Sequence, residues 1–130
     1  MGKILNEQRN GNTGKQVLVV DDEVSLCFLL RNFLNRMNCK VTCEHTLKGA
    51  KNHYSNRKPD LILLDIHLPD GLGLELLEII RKKDKGTTII LMSSQRDFGK
   101  ANEKIMDKAD FFLQKPFQLK EVEQVIKQYS

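Results

Sequence analysis

The segment LILLDIHLPDGLGLE, residues 61–75, decides the predicted fold. Its leading aliphatic run is typical of a strand that is buried on both faces of a parallel sheet. The run ends at Asp65, and a loop that contains Pro69 and Gly73 leads to a helix predicted over residues 74–83. We interpret Pro69 and Gly73 as residues that shape the loop beside Asp65.

Three other apolar runs also end on polar side chains. The runs and the residues that close them are 17–20 with Asp21 and Asp22, 88–92 with Ser93, and 110–114 with Lys115 and Pro116. Each run resembles a buried strand, and the shared ending suggests that polar groups collect at one edge of the sheet.

Helical spacing of apolar residues predicts a helix after each strand, and a short alternating segment predicts an edge strand. The predicted helices span residues 24–37, 47–57, 74–83, 97–108 and the chain from 119 onward, and the edge strand spans 40–45. Five strands alternating with five helices predict an α/β fold, with a doubly wound parallel sheet covered by helices on both faces.

The composition of the 130-residue chain fits one ordinary globular domain, with 40% hydrophobic and 29% charged residues. The net charge is +4, but half of it lies in the first fifteen residues. That segment carries Lys3, Arg9 and Lys15 and one acid, Glu7. The remainder is too evenly charged to favour nucleic acid or an anionic membrane as a partner. We predict that residues 1–15 form a flexible tail.

No apolar run is long enough for a signal peptide or a membrane span, so we expect a cytoplasmic protein. Cys27, Cys39 and Cys43 lack zinc-binding spacing, and we interpret them as packed thiols in a reducing compartment rather than as redox sensors. The three histidines also lack ligand spacing. No glycine-rich phosphate loop follows a strand, which argues against a nucleotide cradle.

In a doubly wound sheet the carboxyl ends of the strands meet at one crevice, so Asp21, Asp22, Asp65, Ser93 and Lys115 are expected to share a pocket. Three carboxylates in one pocket repel each other unless a cation lies among them. Carboxylate, carbonyl and water oxygens suit Mg²⁺. A carboxylate beside such an ion and an ammonium can attack phosphorus and hold the product acyl phosphate.

Four motifs, in this order, resemble the receiver domain of two-component response regulators: VLVVDDE, LILLDIHLPDGLGLE, IILMSS and DFFLQKPF. The resemblance assigns residues 16–130 to the domain. It implies a flavodoxin-like, three-layer fold with strand order 2-1-3-4-5. It also implies a signalling module, not a turnover enzyme, that a sensor histidine kinase or a histidine phosphotransfer domain phosphorylates. A downstream protein or output domain would respond, and phosphorylation-dependent homodimerisation is a further expectation.

The resemblance further implies a phosphoacceptor and a metal site. Asp65 would accept the phosphoryl group. Asp21, Asp22, Asp65 and the backbone carbonyl of His67 would hold Mg²⁺, for which Mn²⁺ could substitute.

The same resemblance implies the groups that bind the phosphoryl group and report it. Ser93 and Lys115 would engage its oxygens, and Lys115 precedes Pro116 through a peptide bond that is commonly cis in the family. Phe112 would turn inward as Ser93 moves, which changes the surface of the fourth helix, fifth strand and fifth helix.

Three residues depart from the family pattern. Ser94 stands where alanine is usual, Phe112 cannot donate a hydrogen bond as tyrosine would, and Lys108 stands where glycine is usual. A left-handed conformation at Lys108 would cost about 1–2 kcal/mol.

Other interpretations stay open at this point. An aspartyl-nucleophile phosphohydrolase would need an acid two residues after Asp65, where His67 stands. A docking module of receiver shape would not need phosphate at all. The charge-rich stretch 97–108 is by default a solvated face, and Phe28, Phe111 and Phe117 are predicted to lie in the core.

Overall fold

The structure is a computed structural model that describes residues 14–94 and 100–129. Five parallel strands form one sheet in the spatial order β2-β1-β3-β4-β5, which confirms the predicted strand order. The strands are β1 Lys15–Val20, β2 Cys39–Glu44, β3 Leu61–Asp65, β4 Thr88–Ser93 and β5 Phe111–Gln114.

Within the described residues, five helices alternate with the strands. They are α1 Val24–Asn35, α2 Leu47–Asn56, α3 Gly73–Lys83, α4 Lys100–Met106 and α5 Leu119–Tyr129. A short antiparallel hairpin lies between β3 and α3. Each of its strands has two residues, His67–Leu68 and Gly71–Leu72. Within residues 14–94 and 100–129, every helix is too short or too polar to cross a membrane.

Strand β3 is the centre of the molecule, and all its residues are buried. Successive side chains of a strand point to opposite faces. Ile62 and Leu64 accordingly join the apolar core with α2 and α3, while Leu61 and Leu63 join the core with α1 and α5. Each buried aliphatic side chain contributes about 1.5–3 kcal/mol, so the two cores hold the strand ends in fixed positions.

Several predicted boundaries need correction. Helix α1 ends at Asn35 rather than residue 37, and Asn38 takes a left-handed conformation with φ 65° as the chain turns into β2. Strand β1 begins at Lys15, so the predicted tail extends one residue too far. Helix α4 ends at Met106, and residues 97–99 of the predicted helix lie outside the described residues, as does the tail from 1 to 13.

The strain considered for Lys108 does not arise. Among the described residues, Asn38 is the non-glycine residue with positive φ, so Lys108 is not left-handed. Its backbone amide donates to the carbonyl of Ile105 at 3.0 Å in an ordinary turn.

The prediction for Phe28 is wrong. Phe28 is 64% exposed and Leu29 48% exposed on the outer face of α1. The helix buries the narrower stripe of Cys27, Leu30 and Leu34 instead. Phe111 and Phe117 are partly buried against the core, as predicted.

Candidate functional site

The carboxyl ends of the central strands bring the predicted acids together. Strand pairing sets Val20 beside Leu64, so Asp21 and Asp65 follow at the same edge of the sheet. Asp21, Asp22 and Asp65 each offer a carboxylate oxygen, and these three oxygens lie within 4.8 Å of one another. Asp21 and Asp65 are buried, whereas Asp22 is exposed.

Lys115 joins these acids from the end of β5. Its Nζ lies 2.7 Å from Asp21 Oδ2 and 3.4 Å from Asp65 Oδ2. A third acid, Glu23, places Oε1 at 3.4 Å from the same nitrogen. Burial by itself would lower the pKa of Lys115, but the hydrogen bond to Asp21 and the charge of Asp65 outweigh it and raise that pKa. The side chain is therefore an ammonium at neutral pH.

Asp65 lies in an environment that disfavours its charge. Burial and the neighbouring charge of Asp21 raise the pKa of Asp65 to about 6, although Lys115 opposes the shift. The backbone amide of His67 also donates to this carboxylate. One ammonium therefore does not compensate for the carboxylates gathered here, and additional positive charge would stabilise the site.

Ser93 closes β4 on the other side of Asp65. The register sets Met92 beside Asp65 and Ser93 beside Gln114, and the Lys115 amide donates to the Ser93 carbonyl at 2.7 Å. Ser93 is 1% exposed, and its Oγ has no hydrogen-bond partner among the described residues. A buried hydroxyl without a partner is uncommon in proteins and is an indication of a ligand.

These observations fit a divalent metal with a phosphoryl group. Three clustered carboxylates are the hard oxygen donors that Mg²⁺ prefers, and the described donor set includes no soft ligand. The hydroxyl of Ser93 is free to donate to a phosphoryl oxygen.

Residues 17–127 match the model of a family described as the response regulator receiver domain. The chain belongs to this family. It is 30% identical to the chemotaxis protein CheY of Thermotoga maritima over 118 residues, which cover 90% of this chain and 98% of CheY. It is 32% identical to the regulatory protein LuxO of Vibrio cholerae over 98 residues, which cover 75% of this chain but only 22% of LuxO.

A solved structure gives the same assignment. The receiver is similar to the response regulator TrrA of Thermotoga maritima, whose structure was solved in complex with Mg²⁺ and BeF, with a TM-score of 0.75 and 29% identity. The match covers 88% of this chain and 97% of TrrA. The flavodoxin-like fold and the receiver assignment are thus confirmed.

The loop after Asp65 in this receiver is held close to the strand end. The Gly73 amide donates to the Ile66 carbonyl at 2.7 Å, and a Cβ at Gly73 would clash with the backbone oxygen of Asp65. Only glycine allows this close approach. Pro69 is exposed at the hairpin turn, and His67 is exposed at the start of the hairpin.

The remaining predicted residues surround the site. Phe112 is 44% exposed on β5, and Ser94 is half-buried after β4. The peptide bond between Lys115 and Pro116 is cis, as the family resemblance implied.

Two contacts were missed at the sequence level. Glu23 is not among the predicted site residues, yet its carboxylate lies 3.4 Å from Lys115 Nζ. Asp70 caps α2 from the hairpin, accepting hydrogen bonds from the amides of Leu47 at 2.7 Å and Lys48 at 2.9 Å. Because Glu23 follows Asp22 directly, its place near the site could have been predicted. The contact of Asp70 could not, because Leu47 lies 23 residues away in the sequence.

Proposed function

We propose that the protein is a phosphorylation-controlled switch in which Asp65 accepts a phosphoryl group from a phosphohistidine of a partner. The observation that carries the proposal is the clustering of three carboxylates within 4.8 Å, with the ammonium of Lys115 at 3.4 Å from Asp65. Asp21, Asp22 and Asp65, with the carbonyl of His67, would hold Mg²⁺. The bound ion would neutralise charge on the phosphoryl oxygens.

In the proposed reaction, an oxygen of Asp65 attacks phosphorus, and the bond from phosphorus to the histidine nitrogen breaks with its electron pair moving to the imidazole. Lys115 offsets negative charge on the transferring group, because its ammonium already lies beside Asp65. Ser93 donates its unpaired hydroxyl proton to a phosphoryl oxygen. The product is an acyl phosphate on Asp65.

The product is read through a change in the surface of α4, β5 and α5. Phosphate contact draws Ser93 toward Asp65, and Phe112, now 44% exposed, turns inward from β5. The inward turn would remove the exposed ring of Phe112 from the surface and change how the side chains pack there. The change is a population shift that a downstream protein or output domain recognises.

The proposed partners follow from the family. A sensor histidine kinase or a histidine phosphotransfer domain supplies the phosphoryl group in the cytoplasm, and the receiver catalyses its own modification without turning over a substrate. The 22% coverage of LuxO shows that a receiver can be a small part of a longer regulator. Homodimerisation on phosphorylation is part of the proposal.

The experiment is incubation of the full chain with acetyl phosphate and Mg²⁺, followed by intact-mass measurement and site mapping. Wild type is expected to gain one phosphoryl group on Asp65, with Mn²⁺ as a working substitute for Mg²⁺. Asp65→Asn should gain none, and Asp107→Asn, which removes an exposed acid elsewhere, should behave as wild type. Unchanged labelling of Asp65→Asn would refute the assignment.

A further inference from the structure

A pair of thiols lies directly behind the acidic site. Cys27 is 2% exposed on α1 and Cys43 is half-buried on the edge strand β2. Cys43 Sγ lies 3.7 Å from the backbone oxygen of Cys27, and the two thiol groups are within hydrogen-bonding range of each other. Both cysteines are free in the structure.

The proton on Cys27 has two acceptors. Its Sγ lies 3.3 Å from the backbone oxygen of Asp21. His45 Nδ1 lies 2.8 Å from the same oxygen and must donate to it, since a carbonyl only accepts. His45 therefore does not accept from Cys27 at 3.7 Å, which leaves the Asp21 oxygen and the Cys43 sulfur as the two groups that can accept the thiol proton.

The surroundings distinguish the two sulfurs. The hydrogen bond from Cys27 lowers the pKa of Cys43 to about 6, with support from the charge of Arg31 and against the effect of burial. The lower pKa thus belongs to the more accessible sulfur, and the buried sulfur of Cys27 lies beside it, an arrangement suited to an attacking and a resolving thiol.

We propose that Cys27 and Cys43 are a peroxide-sensitive dithiol that closes to an intramolecular disulfide between α1 and β2. The thiolate of Cys43 attacks one oxygen of hydrogen peroxide, the O–O bond breaks, and hydroxide leaves and takes up a proton to give water. Cys43 is then a sulfenic acid. The sulfur of Cys27 attacks the Cys43 sulfur, its proton goes to the departing hydroxide, and a second water leaves as the disulfide forms.

This inference goes beyond the proposed function and revises the interpretation of these two cysteines as packing residues. Cys39 is the internal contrast, since it is buried with its Sγ near the Met37 carbonyl, at 3.9 Å, and burial raises its pKa. The disulfide would replace the Cys27 thiol that now faces the Asp21 carbonyl.

The test uses the reduced full chain treated with hydrogen peroxide, then alkylated and digested with trypsin without reduction. Cleavage at lysine and arginine places the cysteines in separate peptides, 16–31 for Cys27, 37–40 for Cys39 and 41–48 for Cys43. The expected product is peptide 16–31 joined to peptide 41–48, with peptide 37–40 alkylated. Its yield should be unchanged in Cys39→Ser.

Replacement of the resolving thiol isolates the first step. In Cys27→Ser, or in Cys27→Ala if the serine variant fails to fold by circular dichroism, dimedone should label Cys43 as a sulfenic acid at least several-fold faster than Cys39. Equal labelling of Cys39 and Cys43, or disulfides only between chains, would overturn the proposal. None of these outcomes depends on phosphoryl transfer, so failure here leaves the proposed function untouched.

Discussion

At the carboxyl end of the sheet, Asp65 is buried beside Asp21 and its pKa is raised to about 6. At the amino end, Asp84 accepts hydrogen bonds from Lys58 at 2.8 Å and from Thr87, and these hold its pKa well below the usual range. The same fold thus disfavours one carboxylate and favours another. Burial beside another carboxylate raises the pKa of Asp65, whereas hydrogen bonds from Lys58 and Thr87 lower that of Asp84.

The amino end is fully paired around Arg81. Its guanidinium, 12% exposed, donates to Asp110 Oδ2 at 2.7 Å and to the backbone oxygens of Thr87 at 2.7 Å and Lys108 at 2.8 Å. At the carboxyl end three acids reach one lysine, and Ser93 Oγ has no hydrogen-bond partner within the part of the chain that the structure describes. The amino end therefore stabilises the fold, whereas the carboxyl end is arranged to bind a cation and an oxyanion.

The largest expected effect is at the amino end. Arg81→Ala should lower the free energy of unfolding by about 2–4 kcal/mol, because it removes the donor to Asp110 and to the backbone oxygens of Lys108 and Thr87, the last of these in a part-buried hydrogen bond. Urea denaturation measures this, and the exposed neighbour Lys82→Ala is the control, with a change of about 0.5 kcal/mol or less. Equal losses in the two variants would show that the amino end is not the stabilising one.

The second effect has the opposite sign. Without Mg²⁺, Asp65→Asn should raise the free energy of unfolding by about 1–3 kcal/mol at neutral pH, because it removes a carboxylate whose charge the folded state disfavours. Denaturation of Asp22→Asn, which removes an exposed acid of the same site, is expected to show a much smaller gain.

The pH dependence follows from the raised pKa. Between about pH 4 and pH 6 the folded state holds the Asp65 proton more tightly than the unfolded chain, so wild-type stability should fall as pH rises through this window. Asp65→Asn should lack that decline. A stability profile identical in wild type and variant would contradict the raised pKa.

The smallest effect concerns Asp84. Because the folded state lowers its pKa, its contribution is present above about pH 4 and is lost as pH falls. Asp84→Asn should lose roughly 1 kcal/mol at neutral pH and less under acid conditions. Thermal unfolding over a pH series measures this change, with Asp107→Asn as the matched surface control. If the stability lost in Asp84→Asn stays the same at low pH, the lowered pKa of Asp84 is contradicted.

Much of this arrangement was predictable because it depends on local pattern. Apolar runs that stop at Asp21, Asp65, Ser93 and Lys115 indicate strands and their ends, and parallel topology then brings those ends together. The start of β1 was harder to predict, because Lys15 and Gln16 are polar. Only their pairing with β2 shows that they belong to the strand.

Contacts between distant elements were not predictable from pattern. Helical periodicity in α1 offers more apolar positions than the core uses, so it does not show that Phe28 and Leu29 face outward. The contact of Cys27 with Cys43 depends on how closely α1 packs on β2. No local signal encodes that distance.

The proposed cation site depends most on the charge state of Asp65, which ¹³C NMR of its carboxyl carbon measures directly. We predict that this carbon titrates with a pKa of about 6 in metal-free protein, and that saturating Mg²⁺ moves the titration to lower pH. A titration near the ordinary value of about 4, unchanged by Mg²⁺, would contradict a cation site at the carboxyl end of the sheet.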